Sequence, residues 1–125
     1  MNLKKYYKDL LSADNSLIEI LGSQNKIVSA YPQEVKTFPL VVYEDSNSRD
    51  IEFSDNLPNG TSASVRVHIF TKTLAEYPTT TEIAEIVKSI FRNDFWTNTL
   101  NQETSDVQDN VRHRILDFTK EFYSL

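Results

Sequence analysis

Leu3, Tyr6, Tyr7, Leu10 and Leu11 recur at i, i+3, i+4, i+7 and i+8, while Lys4, Lys5, Lys8 and Asp9 fill the positions between them. At 3.6 residues per turn this spacing gathers the apolar side chains on one side, so it predicts an amphipathic helix, with Asn2 as its cap. Asp14 or Asn15 then caps a second, short helix through Leu17, Ile18 and Leu21. Gly22 supplies the residue that can take positive φ just past its end.

The period then changes from 3.6 to 2. "KIVSAYP" reads as a short strand stopped by Pro32, and "FPLVVYE", with Leu40, Val41, Val42 and Tyr43, as a stronger one. In "SASVRVHIFTK", Val65, Val67 and Ile69 alternate with Arg66, His68 and Phe70, which predicts a long strand with one face in the core and the other mostly polar. "TTTEIAEIVKSIF" returns to helical spacing: Thr79 and Glu82 form a capping box, and Ile83, Ile86, Val87, Ile90 and Phe91 form the apolar stripe. "FWTNTLNQE" reads as a strand, residues 105–110 as a polar turn, and "VRHRILDFTKEFYSL" as a long final strand, apolar on both parities and expected to carry a bulge. The order α, α, β, β, long loop, β, α, β, β predicts a two-layer α+β domain. Its antiparallel or mixed sheet has about four to five strands, with the helices packed on one face.

A chain of 125 residues, 39% hydrophobic and 25% charged, is one domain with a core large enough to need no disulfide. There is no cysteine, which excludes thiolate metal sites and thiol catalysis and fits a reducing, intracellular setting. The N-terminal lysines are followed by no continuous apolar run, so the start does not read as a secretion signal. No stretch approaches the roughly 18 apolar residues of a membrane span. A net charge of −5 argues against tight, sequence-independent binding to nucleic acid, which depends on clustered Lys and Arg displacing counterions from phosphates.

The connection at residues 45–61 is too long for a plain hairpin and strongly acidic. As a calcium loop starting at Asp45 it fails. Arg49 stands at position 5, Asp50 where the sharp turn needs glycine, and Asn56 where a bidentate Glu is required. Loose divalent binding by Asp45, Asp50, Glu52 and Asp55 is the alternative to a solvated acidic loop, and the expectation is the loop, with no metal and no cofactor. His68 and His113 lie on two predicted strands that would bring them together if they pair, but two histidines fall short of a zinc site, so structural histidines are expected. With Gly22 and Gly60 the only glycines, neither a G-x-S-x-G elbow nor a phosphate-cradling loop can be built. The aromatic and basic signature of a βαββαβ RNA-binding module is also missing. The expectation is a protein that is not an enzyme.

The succession "LLSADNSLIEILG", "FPLVVYEDSNSR", "SASVRVHIFTKTLAEYPTTTEIAEIVKSIF" and "VRHRILDFTKEFYSL" resembles the small tail terminator, or tail-to-head joining, proteins of long-tailed bacteriophages over nearly the whole chain. The resemblance implies an α+β protein of the virion, assembled in the bacterial cytoplasm into a hexameric ring on the end of a tail tube. There it would stop polymerisation and dock the head connector while DNA passes through without specific binding. Its partners would be further copies of itself, the tail tube protein and the head connector or completion protein. The polar connection, with Asp45, Ser46, Asn47, Arg49, Asp50, Glu52, Asp55, Asn56 and Asn59, becomes the candidate assembly or lumen surface. The alternatives are another head-tail joining or head-completion protein, or a small nucleic-acid-binding or regulatory module outside phage.

Overall fold

The computed structural model describes residues 2–29, 37–46, 49–51, 60–104 and 110–123, with backbone alone at 49–51 and 123. Helices α1 (Leu3–Ser12) and α2 (Asn15–Leu21) open the chain, followed by a 3-10 turn, Gln24–Lys26. Strands β1 (Ile27–Val28), β2 (Leu40–Asp45), β3 (Arg49–Ile51) and β4 (Gly60–Lys72) come next. Helix α3 (Thr80–Asn93) and strands β5 (Thr97–Glu103) and β6 (Val111–Tyr123) complete the order. Among the described residues no helix is long and apolar enough to cross a membrane.

The helix ends follow the predicted chemistry. The Asn2 side chain accepts from the Lys5 amide at 3.1 Å, Asp14 from Leu17 at 2.8 Å and Thr79 from Glu82 at 3.1 Å, so each helix has one of its orphan amides satisfied. Gly22 closes α2 at φ 91°, the left-handed conformation that costs a residue without Cβ nothing.

The sheet is mixed and runs β1-β2-β4-β6-β5, with β3 pairing the start of β4. β1 lies parallel to β2, and the other pairings are antiparallel. β4 and β6 form the spine, thirteen residues paired from Gly60↔Tyr123 to Lys72↔Val111 in one unbroken register. The bulge expected in the last strand lies instead in its partner β5, where Thr99 has no place in the pairing between Asn98 and Leu100. The Asn98 side-chain amide fixes it by donating to the carbonyls of Leu100 and Asp117 at 2.8 and 2.9 Å. β3 is a second departure, since the stretch read as loop contains a short strand at its near end.

The three helices cover one face. Val41 and Tyr43 of β2, Ala63, Val65, Val67 and Ile69 of β4, and Leu116 and Phe118 of β6 pack there against Tyr7, Leu11, Leu17, Ile83, Val87 and Phe91. Phe91 stacks on Phe118 with ring centroids 4.3 Å apart. The opposite face is less polar than its sequence predicts, because Leu40, Val42 and Phe70 form a second buried cluster with Val28, Phe38 and Val111 at its edge.

Candidate functional site

The acidic connection enters the fold through its two ends. Asp45 is exposed at the end of β2, and the Ser46 amide donates to the Ser64 carbonyl at 2.8 Å, which extends the ladder past the strand. Arg49 and Asp50 pair through their backbone with Ser62 and Thr61 in β3. Asn47, Glu52, Asp55, Asn56 and Asn59 lie outside the described residues. Of the predicted site, then, the structure places Asp45, Ser46, Arg49 and Asp50 along one edge of β4.

The second face carries a polar array that sequence reasoning anticipated only as an encounter of two histidines. His68 Nδ1 and His113 Nε2 stand 2.9 Å apart, and His68 Nε2 stands 2.9 Å from Glu44 Oε1. The pairing register explains the approach. Val42 faces His68 and Phe70 faces His113 across the strands, so Glu44, His68 and His113 form a diagonal across β2, β4 and β6. Both rings are buried, at 5% and 9% exposure, and Phe70 stacks on His113 with centroids 4.2 Å apart. Beside them Arg66 grips Asp117 with Nε at 2.8 Å and Nη2 at 2.9 Å, a two-pronged fork. The hydrogen bond to Asp117 raises the guanidinium's proton affinity further, against the opposing effect of burial. Among the described residues no group of three or more His, Asp or Glu is arranged to hold a metal ion.

A second polar cluster ties the ends of the helical layer together. The Asp94 carboxylate, one residue past α3, accepts from the Tyr6 hydroxyl, from Trp96 Nε1 at 3.0 Å and from Lys120 Nζ at 3.4 Å. Burial acts to raise the Asp94 carboxyl. The hydrogen bonds from Tyr6 and Trp96 and the Lys120 charge outweigh it, and the group lies below its usual range. The Tyr6 phenol is pushed up to about 12, first by burial and then by the carboxylate it donates to.

The surface offers one feature with no counterpart in the sequence reading. Phe95, read as the first residue of a strand, is outside β5 and has left-handed backbone at φ 67°. It closes α3: its amide donates to the Arg92 carbonyl at 3.0 Å and the Trp96 amide to Phe91 at 2.9 Å. A helix end of this kind favours glycine, yet here it holds a phenyl ring that is 84% exposed. Alongside lies a shallow concavity of about 610 Å³ between Phe95, Ser62, Thr97, Thr119 and Lys120. A second, of about 680 Å³, opens at the start of α3 between Lys72, Leu74, Thr80, Glu82 and Arg112. Neither is lined by His68 or His113. From Phe95 the chain runs into β5, the terminal strand of the sheet, on which every residue except Leu100 is exposed. Its residues, TNTLNQE, include neither Lys nor Pro, two of the guards that commonly keep an edge strand from pairing outward.

No family model matches this chain, and no curated protein does. Among solved structures it is similar to a chain of one described as "Virion of native gene transfer agent (GTA) particle", with a TM-score of 0.64 over 93% of this chain and 90% of that one. The two sequences are 13% identical, so the likeness is one of fold.

Proposed function

We propose that this protein is a structural component of a phage-type particle, a tail terminator that closes into a six-fold ring on the end of the tail tube. It ends polymerisation there and presents the surface on which the head connector docks. The observation that carries this reading is a fold likeness spanning 93% of the chain to a component of a virion particle. It agrees with the resemblance carried by the strand and helix succession. The work is binding rather than catalysis, and the protein resides in the tail or neck of the particle after assembly in the host cytoplasm.

A ring of identical subunits needs two different, complementary surfaces on each copy. The open edge of β5 with Phe95 at its head supplies one: an edge strand offers main-chain hydrogen bonds, and an exposed aromatic offers an anchor to bury. The acidic connection after Asp45, whose described residues run along β4, supplies another candidate. With a net charge of −5, an acidic surface lining the ring repels phosphates and lets DNA pass without being held.

Native mass spectrometry over rising concentration, with electron microscopy of the largest species and of purified tail tubes mixed with the protein, tests the proposal. The expected result is a six-fold ring with an open centre, free or seated on tube ends. A protein that neither forms a ring nor binds tubes, or that binds filled heads instead, overturns the terminator reading.

A further inference from the structure

We infer that Phe95 of one copy seats in the hollow beside Leu74 and Tyr77 of the next, so that the two ends of α3 are the knob and the socket of one head-to-tail contact. The inference rests on the reading of this chain as a ring-forming subunit, and it names the surfaces that meet. Among the described residues the exposed large hydrophobic side chains are Leu74, at 42%, and Phe95, at 84%. Leu74 comes before α3 and Phe95 after it, and the helix between them is 14 residues, or about 21 Å, long. Phe95 is not among the residues that line the hollow beside Leu74. A phenyl ring does not span the length of that helix, so the knob of one chain reaches a socket only on another copy.

Phe95 is presented rather than packed. Its φ of 67° is a conformation that bulky side chains adopt rarely and at a cost. The closure of α3 is made by backbone groups, Phe95 to Arg92 at 3.0 Å and Trp96 to Phe91 at 2.9 Å, and glycine would make it without strain. Within the chain the ring meets the Lys120 ammonium, 6.0 Å from its centroid, yet it keeps most of its surface in water. What the ring contributes therefore lies outside the chain.

The socket is built before a partner arrives. Its wall is the turn from β4 into α3, tied by the Tyr77 amide to the Leu74 carbonyl at 3.0 Å, by the Thr73 amide to the Asn110 carbonyl at 2.8 Å and by the Thr71 hydroxyl to the Pro78 carbonyl at 2.7 Å. Leu74, Ala75 and Tyr77 give the hollow an apolar side, and Lys72 and Arg112 a cationic one. That combination suits an aromatic ring, whose edge packs against apolar groups while a cation sits on its face. Lys72 already makes this contact within the chain, 5.1 Å from the Phe38 centroid, and the half-exposed Arg112 offers a guanidinium for a second ring. At about 680 Å³ the hollow has the size of a small-molecule pocket, ample for one phenyl group. Knob and socket are different surfaces, so the contact is heterologous and either closes into a ring or runs on as an open chain.

Two measurements test this. Phe95→Asp removes the knob and Leu74→Asp spoils the socket, both at exposed positions. Each is expected to weaken self-association in native mass spectrometry by at least about thirtyfold, as loss of a buried aromatic anchor does. Mixed in equal amounts, the two variants still share one good knob and one good socket, so they are expected to form dimers that do not grow. The chain has no cysteine, so cross-linking gives a direct second reading. With Leu74→Cys and Phe95→Cys in separate chains, a short bismaleimide is expected to join position 74 of one copy to position 95 of another. A ring that persists in both Asp variants, or links only between like positions, overturns this contact and leaves the ring reading standing. Links between positions 74 and 95 in open chains uphold the contact and overturn the ring. A natural protein whose cysteine variants give no links at any concentration overturns the contact, and capping of tail tubes then judges the ring separately.

Discussion

Tyr6, in the first helix, donates its hydroxyl hydrogen to the carboxylate of Asp94, 88 residues further on at the end of the last helix. The same carboxylate holds the Trp96 indole and the Lys120 ammonium, so one side chain fixes α1, the α3 terminus and β6 to one another. Asp94→Ala removes the acceptor and leaves these donors without it. The expected cost is about 2–3 kcal/mol, read as a lower urea midpoint at unchanged slope.

The pH dependence of this cluster has two arms. Asp94 is depressed in the fold, so its contribution is present above the ordinary aspartate range and is lost as pH falls through its lowered value. Tyr6 is raised to about 12, so its contribution is intact below the ordinary phenol range and is lost as pH rises through about 12. Ultraviolet titration should show tyrosine ionisation at that late point, and it should move back toward 10 in Asp94→Ala.

Phe95 gives opposite expectations for stability and assembly. Its left-handed backbone costs a residue with Cβ about 1–2 kcal/mol, part of which glycine returns as lost chain entropy. Phe95→Gly should therefore stabilise the isolated chain by about 0.5–1 kcal/mol in urea unfolding. If the ring anchors there, the same variant assembles less well in native mass spectrometry, and unchanged assembly removes Phe95 from the interface.

Thr99, at the bulge of β5, tests the strand edge. A lysine there should shift the unfolding midpoint by less than about 0.5 kcal/mol, as exposed substitutions generally do. It should nonetheless block ring formation if neighbours pair along this edge, by the same means that lysines guard natural edges.

Phe118 tests the core. It is 1% exposed and stacked on Phe91, so Phe118→Ala should cost about 3–5 kcal/mol. Calorimetry should show a fall in Tm large enough to threaten folding in a domain of this size.

The sequence alone determined the elements whose causes are local. A helix is written into the spacing of Leu3, Tyr6, Tyr7 and Leu10 and into the caps Asn2, Asp14 and Thr79, because every interaction that decides it lies within a few residues. The alternation of Val65, Val67 and Ile69 likewise decided which side of β4 faces the helices, since a strand turns its side chains over at each residue. The tertiary structure alone decided what depends on register between distant strands. His68 meets His113 across 45 residues because β4 and β6 pair without a slip, and nothing near either histidine states that register. Burial of the second face around Val42 and Phe70, the short β3 inside a segment read as loop, and the bulge at Thr99 rather than in β6 have the same origin. Phe95 completes the contrast. Its apolar ring and aromatic neighbour signal a strand, but closing α3 while turning Trp96 into the core requires positive φ at that position, and that demand arises only once helix and sheet are packed together.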